Sequence, residues 1–202
     1  MADRLHLSLW FPSFRVNEMM PRTLSVVRQF PFASAHPGIG YMAVHAVGWS
    51  EPLVFQQSFD FRADAERAIG LASEFLHSDY AYEWEALWDL WAPEFEGDLD
   101  ARWVQKAHQV RIIAHGTDFE GGIYQENGHI ELEFGLDTPF LHDEMDLDPV
   151  SEDRVKANVK KLVDLTSAIE KNCGISGRLL WSDSEDSENL AQKLISRLQK
   201  VQ

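Results

Sequence analysis

Between Tyr80 and Trp91, large rings and acids alternate, and this run limits the possible folds more than any other part of the chain. In an extended strand Tyr80, Tyr82, Trp84, Ala86, Trp88 and Leu90 fall on one side, and Glu83, Glu85 and Asp89 on the other. A helix would instead gather Trp84, Leu87, Trp88 and Trp91 into a stripe. The period of two is longer and more complete, and aromatic residues favour strands. The run therefore predicts a sheet with one ring-lined face and one acidic face. Four such rings belong in a core beneath helices. The alternative is a sheet face that meets a partner, because Trp and Tyr clusters mark interfaces.

Other segments supply the helices and further strands. Leu5, Leu7 and Leu9 alternate in a strand over Arg4–Phe11, and Asn17–Phe30 reads as a helix with Pro21 in its first turn. Ile39–Trp49 and Leu53–Phe61, separated by Ser50, Glu51 and Pro52, suggest a hairpin. Asp64–His77 and Ser151–Asn172 carry unbroken apolar stripes, including Ile69 and Leu162, at helical spacing. Ser151 is the expected cap of the second of these. Ala92–Asp100 reads as a loop, Asp100–Ala107 as a short helix, and Gln109–Phe119 as a strand. Asn127-Gly128 is the preferred centre of a two-residue hairpin turn. It would set Glu126 opposite His129 and Tyr124 opposite Glu131. Asp137–Val150 reads as an acidic loop, Gly177–Trp181 as a short strand, and the segment after Asp183 as a last helix.

The expected class is α+β, an antiparallel sheet with helices mainly on one face. The element order from Arg4 to Trp91 is the β-α-β-β-α-β order of the ferredoxin-like architecture. A similar order over 80–183 would make the chain a duplication, with halves 1–91 and 80–183 and a C-terminal helix over 184–202. No Gly/Ser linker divides them, so one compact unit over 1–202 is expected.

Charge narrows the partners. The net charge is −15, and it is concentrated: twenty acids from Asp79 to Asp153 face only Arg102, Lys106 and Arg111, a net of −17, while the flanks sum to +2. Nucleic acid and anionic membrane surfaces are disfavoured, since both need clustered Lys and Arg. No stretch approaches the roughly 20 apolar residues of a membrane helix. A single cysteine, Cys173, and the absence of a secretory pattern at Met1–Leu9 suggest a reducing, cytoplasmic setting.

No motif identifies a reaction, and no cofactor is expected. Gly38-Ile39-Gly40 lacks the third glycine of a dinucleotide loop. His129, Glu131 and Glu133 would share a strand face and are the weak metal candidates. Ligands two residues apart are spaced by about 6.5–7 Å, which suits a wet face over a core better than one small ion. His142, Asp143, Glu144, Asp146 and Asp148 are oxygen-rich, but they do not match an EF-hand loop. Cys173 reads as a structural thiol. His115 and Asp118 would lie well beyond His129 in the hairpin register.

The leading expectation is a non-enzymatic acidic interaction module, by analogy of an immunity or inhibitor type, that binds a basic protein through Glu83, Glu85, Asp89, Trp84 and Trp88. A homodimer is an alternative use of the same surface. The competing class is a ligand-binding protein or enzyme with a pocket of Trp84, Trp88, His115 and nearby carboxylates.

Overall fold

The computed structural model describes residues 3–95, 101–142, 147–183 and 187–199. Its strands are β1 (Arg4–Trp10), β2 (Ile39–Ala46), β3 (Leu53–Ala63), β4 (Tyr80–Phe95), β5 (Ala101–His115), β6 (Ile130–Leu136) and β7 (Gly177–Ser182). Its helices are α1 (Val16–Val27), α2 (Ala65–Ala72), α3 (Tyr124–Asn127), α4 (Thr138–Leu141), α5 (Pro149–Asn172) and α6 (Ser187–Gln199). The strands form one sheet of seven in the order β3-β2-β4-β5-β6-β1-β7, with every neighbouring pair antiparallel. The class is α+β.

The alternation in β4 sorts the two faces. Trp84 and Trp88 are fully buried. The Trp84 indole donates to Ala68 O of α2, and Trp88 stacks on Phe30, just past α1, and on Phe134 of β6. Lys161 of α5 lies over the Trp88 ring. Leu5, Leu7 and Leu9, Val110 and Ile112, and Ile130 and Leu132 join the same core, as do Ile69 of α2 and Leu162 of α5. Helices α1, α2 and α5 therefore cover one face, and Glu83 and Glu85 occupy the opposite one.

Several local expectations change. Of the expected short helix over Asp100–Ala107, Asp100 lies outside the described residues and 101–107 are strand: β5 begins at Ala101 and pairs with β4 continuously from Ala81↔His115 to Phe95↔Ala101. Long-range backbone pairing outweighs the weak local pattern there. No two-residue turn forms at Asn127-Gly128. Residues 124–127 make a helical turn that ends at Gly128, whose φ of 88° and close approach to Leu9 N leave no room for a Cβ. Residues 116–129 thus connect β5 to β6, and His115 N donates to His129 O at 2.9 Å. Asp137–Val150 is not loop throughout, since it contains α4 and the start of α5.

Helix boundaries shift for similar reasons. Asp148, not Ser151, caps α5: its carboxylate accepts from Ser151 N, and Pro149 takes the first turn. Ser151 Oγ instead accepts the Trp103 indole N–H. α2 tightens after Ala72 into a 3-10 turn over Ser73–Phe75, and the Tyr82 hydroxyl, which donates to Phe75 O and accepts from His77 N, holds the chain beyond it out of the helix. Pro21 sits in the second turn of α1 rather than the first.

The chain does run β1-α1-β2-β3-α2-β4, but β1 pairs with β6 and β7 and not with β2, β3 or β4. Those four strands do not close a sheet of their own. The repeat over 80–183 needed a helix near Asp100, where β5 runs instead.

Candidate functional site

The sheet face turned away from α1, α2 and α5 holds two linked polar clusters. Period-two alternation places Tyr41 and His45 of β2, Glu83 and Glu85 of β4, Arg111 and His115 of β5, Glu131 and Glu133 of β6, and His6 and Ser8 of β1 on it.

Arg111 organises the first cluster. It stands opposite Glu85 in one ladder and Glu133 in the other, and its guanidinium forks diagonally to Glu83. Nε and Nη2 donate to the two Glu83 oxygens at 2.9 and 3.2 Å, and Nη1 donates to Glu133 at 2.8 Å. His45 Nε2 lies 3.2 Å from the same Glu83 carboxylate, and Arg4 reaches Glu133 at 3.3 Å. Burial pushes the Glu83 carboxyl up, but the hydrogen bonds from His45 and Arg111 outweigh it and hold the carboxyl below its ordinary value. Burial draws Arg111 down, and its bond and charge interaction with Glu83 reverse that shift. Glu85 differs. Burial and then the neighbouring Glu83 charge raise its pKa, and they outweigh the lowering by the Arg111 charge, a hydrogen bond from Gln109 and the Arg62 charge.

Glu131 organises the second cluster. Its Oε1 is 2.8 Å from His6 Nδ1, its Oε2 accepts from Asn127 at 3.3 Å, and His115 Nε2 lies 3.9 Å away. His115 is fully buried and bonds Gly128 O through Nδ1 at 3.0 Å. That ring nitrogen must donate, which leaves Nε2 as the acceptor of a neutral ring. Burial pushes the His115 pKa down. His6 stacks on Trp181 of β7.

Trp49 closes one end of the face. Its ring meets His45, His115 and Phe119 edge-on. Its backbone N–H donates to Glu120 Oε2, while Glu120 N donates to Val47 O. Val47 (φ 65°) and Glu120 (φ 47°) both occupy the left-handed region, and for a β-branched valine that is strained backbone.

The sequence-derived site residues divide as follows. Glu83 and Glu85 share the polar face, Glu83 buried and Glu85 half-buried. Asp89 is half-buried and accepts Ser34 N–H. Trp84 and Trp88 lie beneath the helices, beyond reach of a partner on this face, and form no pocket with His115 across the sheet. Glu131 and Glu133 share the face as expected, but His129 is not with them: its Nδ1 accepts Phe11 N–H, and its ring stacks on Phe14 and Tyr124. Among the described residues no three His, Cys, Asp or Glu side chains are placed to hold a metal ion. Of the oxygen-rich segment, Asp148 caps α5 and His142 O accepts from Arg197, while Asp143, Glu144 and Asp146 lie outside the described residues. Cys173 is buried, with its thiol donating to Ser25 O. His6, His45, Trp49 and Arg111 were not singled out from sequence. Alternation in β1 and β5 was enough to put His6 and Arg111 on the polar face.

No known protein family matches this chain, and no curated protein or solved structure is significantly similar to it.

The buried histidines predict a pH response. Burial pushes His108, His115, His129 and His142 all below the ordinary 6.5. The unfolded chain then binds protons that the folded chain refuses. Their contribution is intact above pH 6.5 and is lost as pH falls below it. Urea midpoints should stay nearly level from about pH 8 to about pH 7 and then fall toward about pH 5.5, and His115→Gln should flatten that fall. A midpoint independent of pH in that window would contradict this.

Proposed function

We propose that the protein is a non-enzymatic binding module whose helix-free sheet face docks a basic protein. The observation that carries this is the state of Glu85. Glu83, Glu131 and Glu133 already have cationic or histidine partners. Glu85 is partly desolvated beside the Glu83 charge, and the more weakly acting Arg111, Gln109 and Arg62 do not offset this. A carboxylate with a raised pKa on an otherwise fixed surface gains most from an incoming Lys or Arg. The surrounding network holds the face rigid, so little ordering is needed on association. The net charge of −15 favours the approach of a basic partner to the molecule as a whole.

Glu83 is a poor test of this surface. It is buried between His45 and Arg111, so reversing it together with Glu85 and Asp89 would damage the fold. Glu85→Lys alone is the better variant. The experiment captures binding proteins from native lysate, purifies them and titrates each against wild type and Glu85→Lys at rising salt. The expected result is a basic partner whose association slows as the Debye length shortens to about 8 Å and beyond. Glu85→Lys should weaken its affinity at least about tenfold. Partners that are not basic, or binding indifferent to both salt and Glu85→Lys, would overturn the proposal.

A further inference from the structure

We propose that the outer edge of β3 between Leu53 and Ser58 pairs with the same segment of a second copy of this chain, joining two sheets across a two-fold axis. β3 is an end strand of the sheet, and among the described residues no strand pairs with its outer side. Such an edge presents a row of backbone N–H and C=O groups that only another extended strand can satisfy in register. Natural edges are commonly blunted by charge, by proline or by a bulge. Here residues 53–59 carry neither charge nor proline. Leu53 and Val54 are exposed.

A bulge limits the segment without removing it. The β2–β3 register passes from Tyr41↔Ser58 to Ile39↔Ala63, so residues 59–62 swing out of the ladder. Phe61 is 91% exposed there, and the Arg62 guanidinium turns inward to donate to Gly38 O. The regular edge is therefore Leu53–Ser58. The opposite edge of the sheet is a different case. β7 is shorter, carries Arg178 in an ion pair with Glu170 of α5, and packs against α6.

Self-complementarity points to a second copy as the occupant, and charge opposes it least at this edge. Two molecules of net charge −15 repel over most of their surfaces, but they meet here across a strand that is uncharged from 53 to 59 and in which Asp60 and Arg62 cancel. An antiparallel backbone edge is its own complement, so no second sequence is required. The geometry also fixes the register. A two-fold axis normal to the sheet pairs each side chain with one on the same face only if it passes through a residue, at or next to Gln56. Both helical layers then lie on one side and both acidic faces on the other. A pairing of six residues is short of a standard interface of about 1,600 Å². The dimer is accordingly weak and concentration-dependent. This inference stands apart from the basic-partner reading, which concerns the sheet face and not its edge.

Sedimentation equilibrium over a concentration series tests it, together with crosslinking by a short bismaleimide. Wild type should show a reversible dimer, and Val54→Lys should abolish it while leaving thermal unfolding of the monomer unchanged. The linker should join two copies of Gln56→Cys but not of Leu179→Cys, at the β7 edge. A wild type that stays monomeric throughout the series would overturn the proposal. So would a dimer that survives Val54→Lys, assembly into species larger than a dimer, or crosslinking through Leu179→Cys alone.

Discussion

Replacing Trp88 with alanine is expected to lower the unfolding free energy by about 3–5 kcal/mol, the range for removing a large aromatic from a core. Trp88 is where three parts of the helical layer meet the sheet. Its ring stacks on Phe30 beyond α1, faces Phe140 of α4 and Phe134 of β6, and lies under Lys161 of α5. Removing the ring leaves a cavity that packing from several elements cannot close together. The indole N–H is buried without a hydrogen-bond partner. Trp88→Phe therefore discards an unsatisfied donor along with some volume, and should cost clearly less than Trp88→Ala. Urea unfolding of the three proteins gives the ranking. A loss below about 1 kcal/mol for Trp88→Ala would mean that the ring is not a core anchor.

The reason this residue could be placed from sequence is that a period of two over twelve residues has a single consistent burial pattern. The helices at 65–72 and 149–172 were legible for the same kind of reason, through stripes that include Ile69 and Leu162. What failed was local turn chemistry set against distant pairing. Asn127-Gly128 is a strong hairpin signal, yet Gly128 serves to end a helical turn pressed against Leu9, a residue far away in sequence. Likewise, nothing local in 101–107 announces a strand, because its partner residues in β4 supply the ordering. The candidate site was half legible. Alternation assigned Glu83, Glu85, Glu131 and Glu133 to polar faces. That these faces adjoin depends on the strand order β4-β5-β6-β1, which no short-range pattern encodes. For the same reason Arg111 passed unnoticed as the link between Glu83 and Glu133.

Arg111→Met is expected to destabilise the protein by about 2–4 kcal/mol at neutral pH, and the deficit should shrink in acid. Breaking a buried ion pair from one side costs about 3–5 kcal/mol because the other charge is stranded; the Arg111 side chain is 31% exposed, so solvent screening reduces that figure. Two carboxylates lose this partner, Glu83 at 10% and Glu133 at 12% side-chain exposure, leaving Glu83 with His45 and Glu133 with the exposed Arg4. In the wild type Glu83 titrates below the ordinary 4.5 when folded, so its contribution is present above that value and is lost as pH falls through the lower, folded one. Without Arg111 one of the two groups that oppose burial is gone, and the His45 hydrogen bond alone remains to hold the charge. The folded-state pKa of Glu83 then rises, and the ionised carboxylate works against folding at neutral pH. Protonation in acid relieves that penalty in the variant while it removes the benefit in the wild type, so the two stability curves converge toward about pH 4. Adding Glu83→Gln to Arg111→Met should recover part of the neutral-pH loss, since it removes one of those two charges. Urea unfolding of the four proteins of this cycle, at pH 7 and at pH 4, reads out both effects. A gap that stays the same at both pH values, or a single-variant loss under about 0.5 kcal/mol, would show that Arg111 merely decorates the surface.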